Sequence, residues 1–177
     1  MLKKRIIPTL LINNRKLVKT INFKDEKYIG DPLNAIRIFN EKFVDELIII
    51  DITNKTNLSH EIDFTFLKDL FSECFVPVTY GGGIKSIKDA DKILKIGVEK
   101  ISLNSKLFSD IEIIRNLSNE FGSQSIIVNI DVKRSFLNKI KVYNYKTRSH
   151  YNVDLIEYIK KVESLGAGEV IINSVDK

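Results

Sequence analysis

A chain of 177 residues, 44% of them hydrophobic, can bury one substantial core, and at roughly 100–200 residues per domain it is expected to form a single domain. The net charge of +5 predicts an affinity for anions. Read along the chain, however, Lys and Arg are scattered among acids, which argues against nucleic acid as a partner.

No stretch approaches the roughly 18 apolar residues of a membrane span, and the opening MLKKRIIPTLL has no A-x-A-like cleavage site. No membrane association and a cytoplasmic location are therefore expected. Cys74, the single cysteine, has no disulfide partner and reads as a buried small hydrophobe. His60 and His150 lie in polar, loop-like surroundings, and no C-x-x-C or H-E-x-x-H spacing occurs. Neither a metal nor another cofactor is expected.

In chain order, RIIPTLLI (5–12) predicts the first strand, and the alternating KLVKTINF within the connection 12–30 predicts a small hairpin. A helix over PLNAIRIFNEKF (32–43) follows, opened by Asp31-Pro32, and then the strand ELIIID (46–51). The helix EIDFTFLKDLFSEC (61–74), the strand VPVTY (76–80), the helix IKDADKILKIG (87–97) and the strand EKISLN (99–104) continue the pattern. After the helix DIEIIRNLSNEFG (110–122) comes the strand QSIIVNIDV (124–132), and KIKVYNY in the connection 133–152 predicts a second hairpin. The helix VDLIEYIKKVESLG (153–166), opened by Asp154, leads to the strand EVIINS (169–174), and Gly97, Gly122 and Gly166 suit helix C-caps.

Continuous apolar strands alternating with helices predict a parallel sheet joined by right-handed crossovers. An open doubly wound sheet and a (β/α) barrel both satisfy that. Glu46 and Glu169 stand 123 residues apart in similar segments, and a hairpin follows both the first and the fifth strand. The spacing predicts a half-barrel repeat, 1–122 and 123–177, with six βα units in all.

Three groups of residues carry chemistry. Gly81, Gly82 and Gly83 follow a strand, where bare backbone N–H groups and the next helix N-terminus can cradle a phosphate. Asn104 and Ser105 end the neighbouring strand and can complete the cup; a tight βα turn is the alternative reading. Asp51, Asp131 and Asp176 fall at strand C-terminal ends, where barrels carry their sites, and each can either shuttle protons or cap a turn. Asp131 is the preferred proton carrier. Arg5, Glu46, Lys100 and Glu169 stand at strand starts, either as solvated charges or as a ring of salt bridges.

Taken together, KRIIPTLL…LVKTINF, GDPLNAIRIFNEKFVDELIIIDIT, TYGGGIKS, VEKISLNS, FGSQSIIVNIDVKR and ESLGAGEVIINSVD resemble HisF, the cyclase subunit of imidazole glycerol phosphate synthase, over the whole chain. The resemblance implies a TIM (β/α)8 barrel of which this sequence supplies about six units, without the seventh and eighth strands that carry the second phosphate site. It implies that a HisH-like glutaminase delivers ammonia through the barrel. By position, Gly83, Asn104 and Ser105, with Gly82 beside them, match the first phosphate site, and Lys19 matches a lysine of the first loop. Arg5, Glu46, Lys100 and Glu169 match the ammonia gate, and Asp131 matches one of two catalytic aspartates.

The other aspartate is replaced. Where the cyclase reads CLDV, this chain reads TLLI, and Leu11 can neither donate nor accept a proton. With Tyr80 before the glycines and Asn173 in the last strand, the chain is similar to HisF-like paralogues of surface-polysaccharide clusters. That likeness implies ammonia supply to a sugar amidotransferase. A conventional histidine-pathway cyclase and a non-catalytic scaffold are the alternatives.

Overall fold

The structure, a computed structural model, describes residues 4–53 and 61–176; His60 lies outside them. Its elements are β1 (Thr9–Asn13), β2 (Lys16–Ile21), β3 (Lys24–Gly30), α1 (Pro32–Glu41), β4 (Leu47–Asp51), α2 (Phe64–Ser72), β5 (Val78–Gly81) and α3 (Ile87–Lys95). There follow β6 (Lys100–Leu103), α4 (Ile113–Phe121), β7 (Ile126–Arg134), β8 (Ile140–Asn144), β9 (Ser149–His150), α5 (Leu155–Ser164) and β10 (Glu169–Ser174).

Local chemistry sets the boundaries. Pro8 has no N–H to give, so the first ladder begins at Thr9 rather than Arg5, while the Pro8 carbonyl accepts from Ile48 N at 2.9 Å. Asp31 caps α1 through Asn34 N at 3.0 Å, and Asp154 caps α5 through Ile156 N at 2.9 Å. The caps of α2 and α3, Asp63 and Ser86, escaped the sequence reading because each stands within polar sequence that offers several candidates.

Six strands run parallel in the order β1-β4-β5-β6-β7-β10. The hairpins add antiparallel pieces: β2 and β3 beside β1, and β8 and β9 beside β7. His150 sits in β9, with its ring edge-on to Tyr143, so it belongs to a strand and not to a loop.

Strand alternation divides the sheet into two faces. On one, Leu47, Ile49, Tyr80, Ile101 and Val128 join Ile36, Leu67, Ile93, Leu117 and Val162 of the helices in a single core. Each such burial contributes about 1.5–3 kcal/mol. Ile48 and Ile127 are buried on the other face, outside that cluster. That face curls inward, and Arg5, ahead of β1, reaches Glu169 of β10. Helices covering one face and a sheet wrapped around the other identify an open, six-unit (β/α) barrel rather than a doubly wound sheet. Cys74 is half-buried at the edge of the core, and burial, with Glu73 adding to it, pushes its thiol up to about 11.

Candidate functional site

The inward face carries polar groups at both ends. At the end where the strands begin, four charges meet: Arg5 and Glu46 on the segments entering β1 and β4, Lys100 at the start of β6 and Glu169 at the start of β10. Arg5 donates to Glu46 and, at 2.8 Å, to Glu169. Lys100 Nζ lies 3.0 Å from Glu46 and 2.7 Å from Glu169. Each cation thus bridges both anions, and Glu46 is only 8% exposed. Alternate signs on one face at one depth make a closed circuit that solvated surface charges would not form.

The circuit shifts its members. The hydrogen bond from Arg5, followed by that from Lys100, outweighs desolvation and holds the Glu169 carboxyl below the usual range. Burial opposes the charge on Lys100, yet its bonds to Glu169 and Glu46 hold the ammonium above the usual lysine range. A depressed carboxyl pKa contributes stability above the unfolded value of about 4.3, and that contribution fades as pH falls through the folded value. In urea titrations between neutral and acid pH, Glu169→Gln is therefore expected to lose less stability on acidification than the parent chain. Parallel curves would refute the linkage.

At the opposite end, Asp131 is 5% exposed. Its Oδ2 accepts from Asn104 Nδ2 at 2.8 Å and its Oδ1 from Asn173 Nδ2 at 3.1 Å. The β7–β10 register sets Asn173 directly beside Asp131. Two amide donors, one on each oxygen, fix the plane of the carboxylate. As a functional candidate Asn173 escaped the sequence reading; its signal was an inward polar residue at a strand end, the same signal that picked out Asp131.

The other two carboxylates are engaged by the backbone. Asp51 Oδ1 accepts from Thr53 N at 2.8 Å, and Asp176 Oδ2 accepts from Arg134 N at 2.7 Å. Both hold connections in place, which is the capping alternative. Leu11 alternates with Leu10 and Ile12, which are buried in the helix-side core, so it lies on the inward face of β1, and it pairs with Ile50 of β4. Lys19 is exposed on β2, opposite Lys27.

Around the glycines, Gly82 (φ +135°) and Gly83 (φ +66°) adopt conformations that side chains disfavour. The helix that follows does not present a bare N-terminus. Asp89 accepts from Lys85 N at 3.0 Å and from Ser86 Oγ at 2.9 Å, so a carboxylate already occupies the start of α3. The expected phosphate cup thus has the Asp89 carboxylate on its helix side, with the Gly82–Gly83 backbone and Asn104–Ser105 as its other expected members. Tyr80, ahead of the glycines, points outward against Phe71. Its hydroxyl is buried; burial, with the nearby Asp51 carboxylate second, holds its pKa well above the ordinary range.

Among the described residues no group of three or more His, Cys, Asp or Glu is arranged to hold a metal, and no helix is long and apolar enough to cross a membrane.

Comparison with known proteins adds the ancestry. A family described as "Histidine biosynthesis protein" matches residues 5–177. A Vibrio vulnificus protein provisionally named imidazole glycerol phosphate synthase subunit hisF3 is 46% identical over 99% of this chain and 68% of its own length. A Campylobacter jejuni protein provisionally named hisF2 is 48% identical over 99% of this chain and 69% of its own. The Lactococcus lactis imidazole glycerol phosphate synthase subunit HisF is 42% identical over the full chain and 68% of its own. With this barrel and these relatives, the chain belongs to the HisF-like family of imidazole glycerol phosphate synthase subunits.

Proposed function

We propose that this HisF-like subunit forms one barrel domain on a half-barrel repeat, accepts ammonia from a HisH-like glutaminase at the charged end, and conducts it toward Asp131 for use by a sugar amidotransferase in surface-polysaccharide synthesis. The observation that carries the reading is the contrast between the two ends. The four-charge circuit is complete, whereas Leu11 stands where the second acid-base carboxylate belongs. A conducting barrel requires the first feature and can dispense with the second.

The surroundings of the circuit support a docking face there. Ile6, Phe43 and Phe75 are strongly exposed on the segments entering β1, β4 and β5. Asp45 accepts from Ile6 N at 2.7 Å and fixes that rim. Exposed aromatic groups around a charged centre are the composition of a protein interface.

Mixed with a HisH-like glutaminase, the full chain is expected to form a complex and to raise glutamine hydrolysis, and Glu46→Ala or Lys100→Ala is expected to lower the fraction of released ammonia that reaches an acceptor. Binding without stimulation, together with variants indistinguishable from the parent, would support the scaffold alternative instead. A phosphorylated small molecule is the ligand for the backbone at Gly82–Gly83 with Asn104 and Ser105. Calorimetry is expected to register inorganic phosphate at millimolar concentration, and an absence of heat on folded protein would remove this part of the reading.

A further inference from the structure

We propose that the insertion between β7 and α5 is a docking surface for an acidic protein, anchored by Phe136 and Leu137. Residues 133–150 hold six of the chain's 28 Lys and Arg and none of its 23 Asp and Glu, which leaves 22 cations against 23 anions elsewhere. The entire positive excess therefore resides in this insertion, and the even scatter expected from the sequence does not hold here.

These charges are available. Arg134, Lys139, Lys141, Lys146 and Arg148 are exposed, while Lys133 is half-buried with its ammonium 5.2 Å from the centre of the Tyr143 ring. Among the described residues none of the six forms an ion pair. Asp154 and Glu157 border the groove of about 330 Å³ beneath Lys139 and Lys141. Asp154 is already engaged in capping α5.

The tip is built to hold a shape. Ser135 N donates to Lys139 O at 2.8 Å and Asn138 N to Ser135 O at 2.8 Å. Arg134 Nη1 donates to Asn138 Oδ1 at 2.8 Å, and the backbone of Arg134 is tied to Asp176. On this fixed turn Phe136 is fully exposed and Leu137 74% exposed, with Ile140 exposed behind them. An aromatic group held outward on a rigid hairpin loses little entropy on burial, which is the property of an interface anchor. The cations around it select a socket rimmed with carboxylates. A lipid surface would reward charge and apolar area without requiring this hydrogen-bonded geometry, so the turn favours a protein.

The surface stands apart from the proposed glutaminase face, because the strands run from the charge circuit at one end to this hairpin at the other. Its occupant is independent of whether ammonia crosses the barrel.

To test this, the full chain is expressed in its source cell with photoreactive benzoylphenylalanine in place of Phe136. It is expected to crosslink to one protein through a segment rich in Asp and Glu, whereas the same group in place of Asn116 on α4 yields no such product. With both proteins purified, Phe136→Ser/Leu137→Ser is expected to weaken binding about tenfold or more. Lys139→Glu/Lys141→Glu is expected to weaken it at low salt, with a difference that shrinks as salt rises. Melting curves followed by circular dichroism establish that these variants fold. Crosslinking to lipid, sedimentation with phosphatidylglycerol vesicles, retention of RNA, a crosslinked surface without acidic residues, or no product above the Asn116 control would each overturn the proposal.

Discussion

Given ammonia and the phosphorylated, ribulosyl-linked aminoimidazole carboxamide, the chain is expected to form imidazole glycerol phosphate about 10²–10⁴-fold more slowly than a relative with an aspartate at the position of Leu11. The reason is chemical. Ring closure needs protons moved at two places, and Asp131 is one carboxylate whose two oxygens already accept from Asn104 and Asn173. Across the barrel, Leu11 offers only methyl groups. Chromatographic quantification of the product measures the rate, and Leu11→Asp in the same assay assigns the deficit. Recovery of about tenfold or more would locate the loss at this position. A parent chain already as fast as an ordinary cyclase would reinstate the histidine-pathway alternative and end the argument from Leu11.

The second large effect is structural. Gly82→Ala is expected to destabilise the fold by about 3 kcal/mol or more, adding the strain of a forbidden backbone region to a backbone collision. A Cβ on Gly82 would lie 2.4 Å from the Asp51 carbonyl oxygen and 2.8 Å from Asp51 Cβ. Neither atom can swing away, because β4 and β5 are paired up to Ile50 and Gly81. Gly97→Ala is the matched control. Its φ is +102°, but the added atom meets nothing within 4 Å, so only the backbone cost of about 1–2 kcal/mol remains. Urea unfolding of the two variants separates collision from strain. Equal losses would show that the end of β4 yields to the extra methyl.

The same geometry answers what three glycines do at a strand end. Gly82 allows β4 and β5 to end in contact, which is the tight-turn reading. The bare backbone of Gly82 and Gly83 remains available to an anion, so the two readings are compatible.

The repeating βα units were legible because buried parallel strands must be apolar throughout and helices must show their 3.6-residue period; EVIINS became β10 with its predicted bounds, Glu169–Ser174. The hairpins after β1 and β7 were legible from alternation. The first strand was read too long because Pro8 interrupts donors, not hydrophobicity. Asp131 was visible as a polar residue ending an apolar run. Asn173 shared that signal, but its partnership with Asp131 depends on a register between segments 42 residues apart.

By itself, the sequence determined which segments become strands and helices, that Leu11 cannot transfer a proton, and that positive charge exceeds negative. These follow from side-chain chemistry and local periodicity, which act over a few residues. Tertiary structure decided that Arg5, Glu46, Lys100 and Glu169 form one circuit, that Asp51 and Asp176 are held by backbone amides while Asp131 is held by two side chains, and that Phe136 stands clear of the core amid cations that form no ion pair among the described residues. Each of these depends on which strands pair and in what phase, and a shift of one residue would turn every inward group outward.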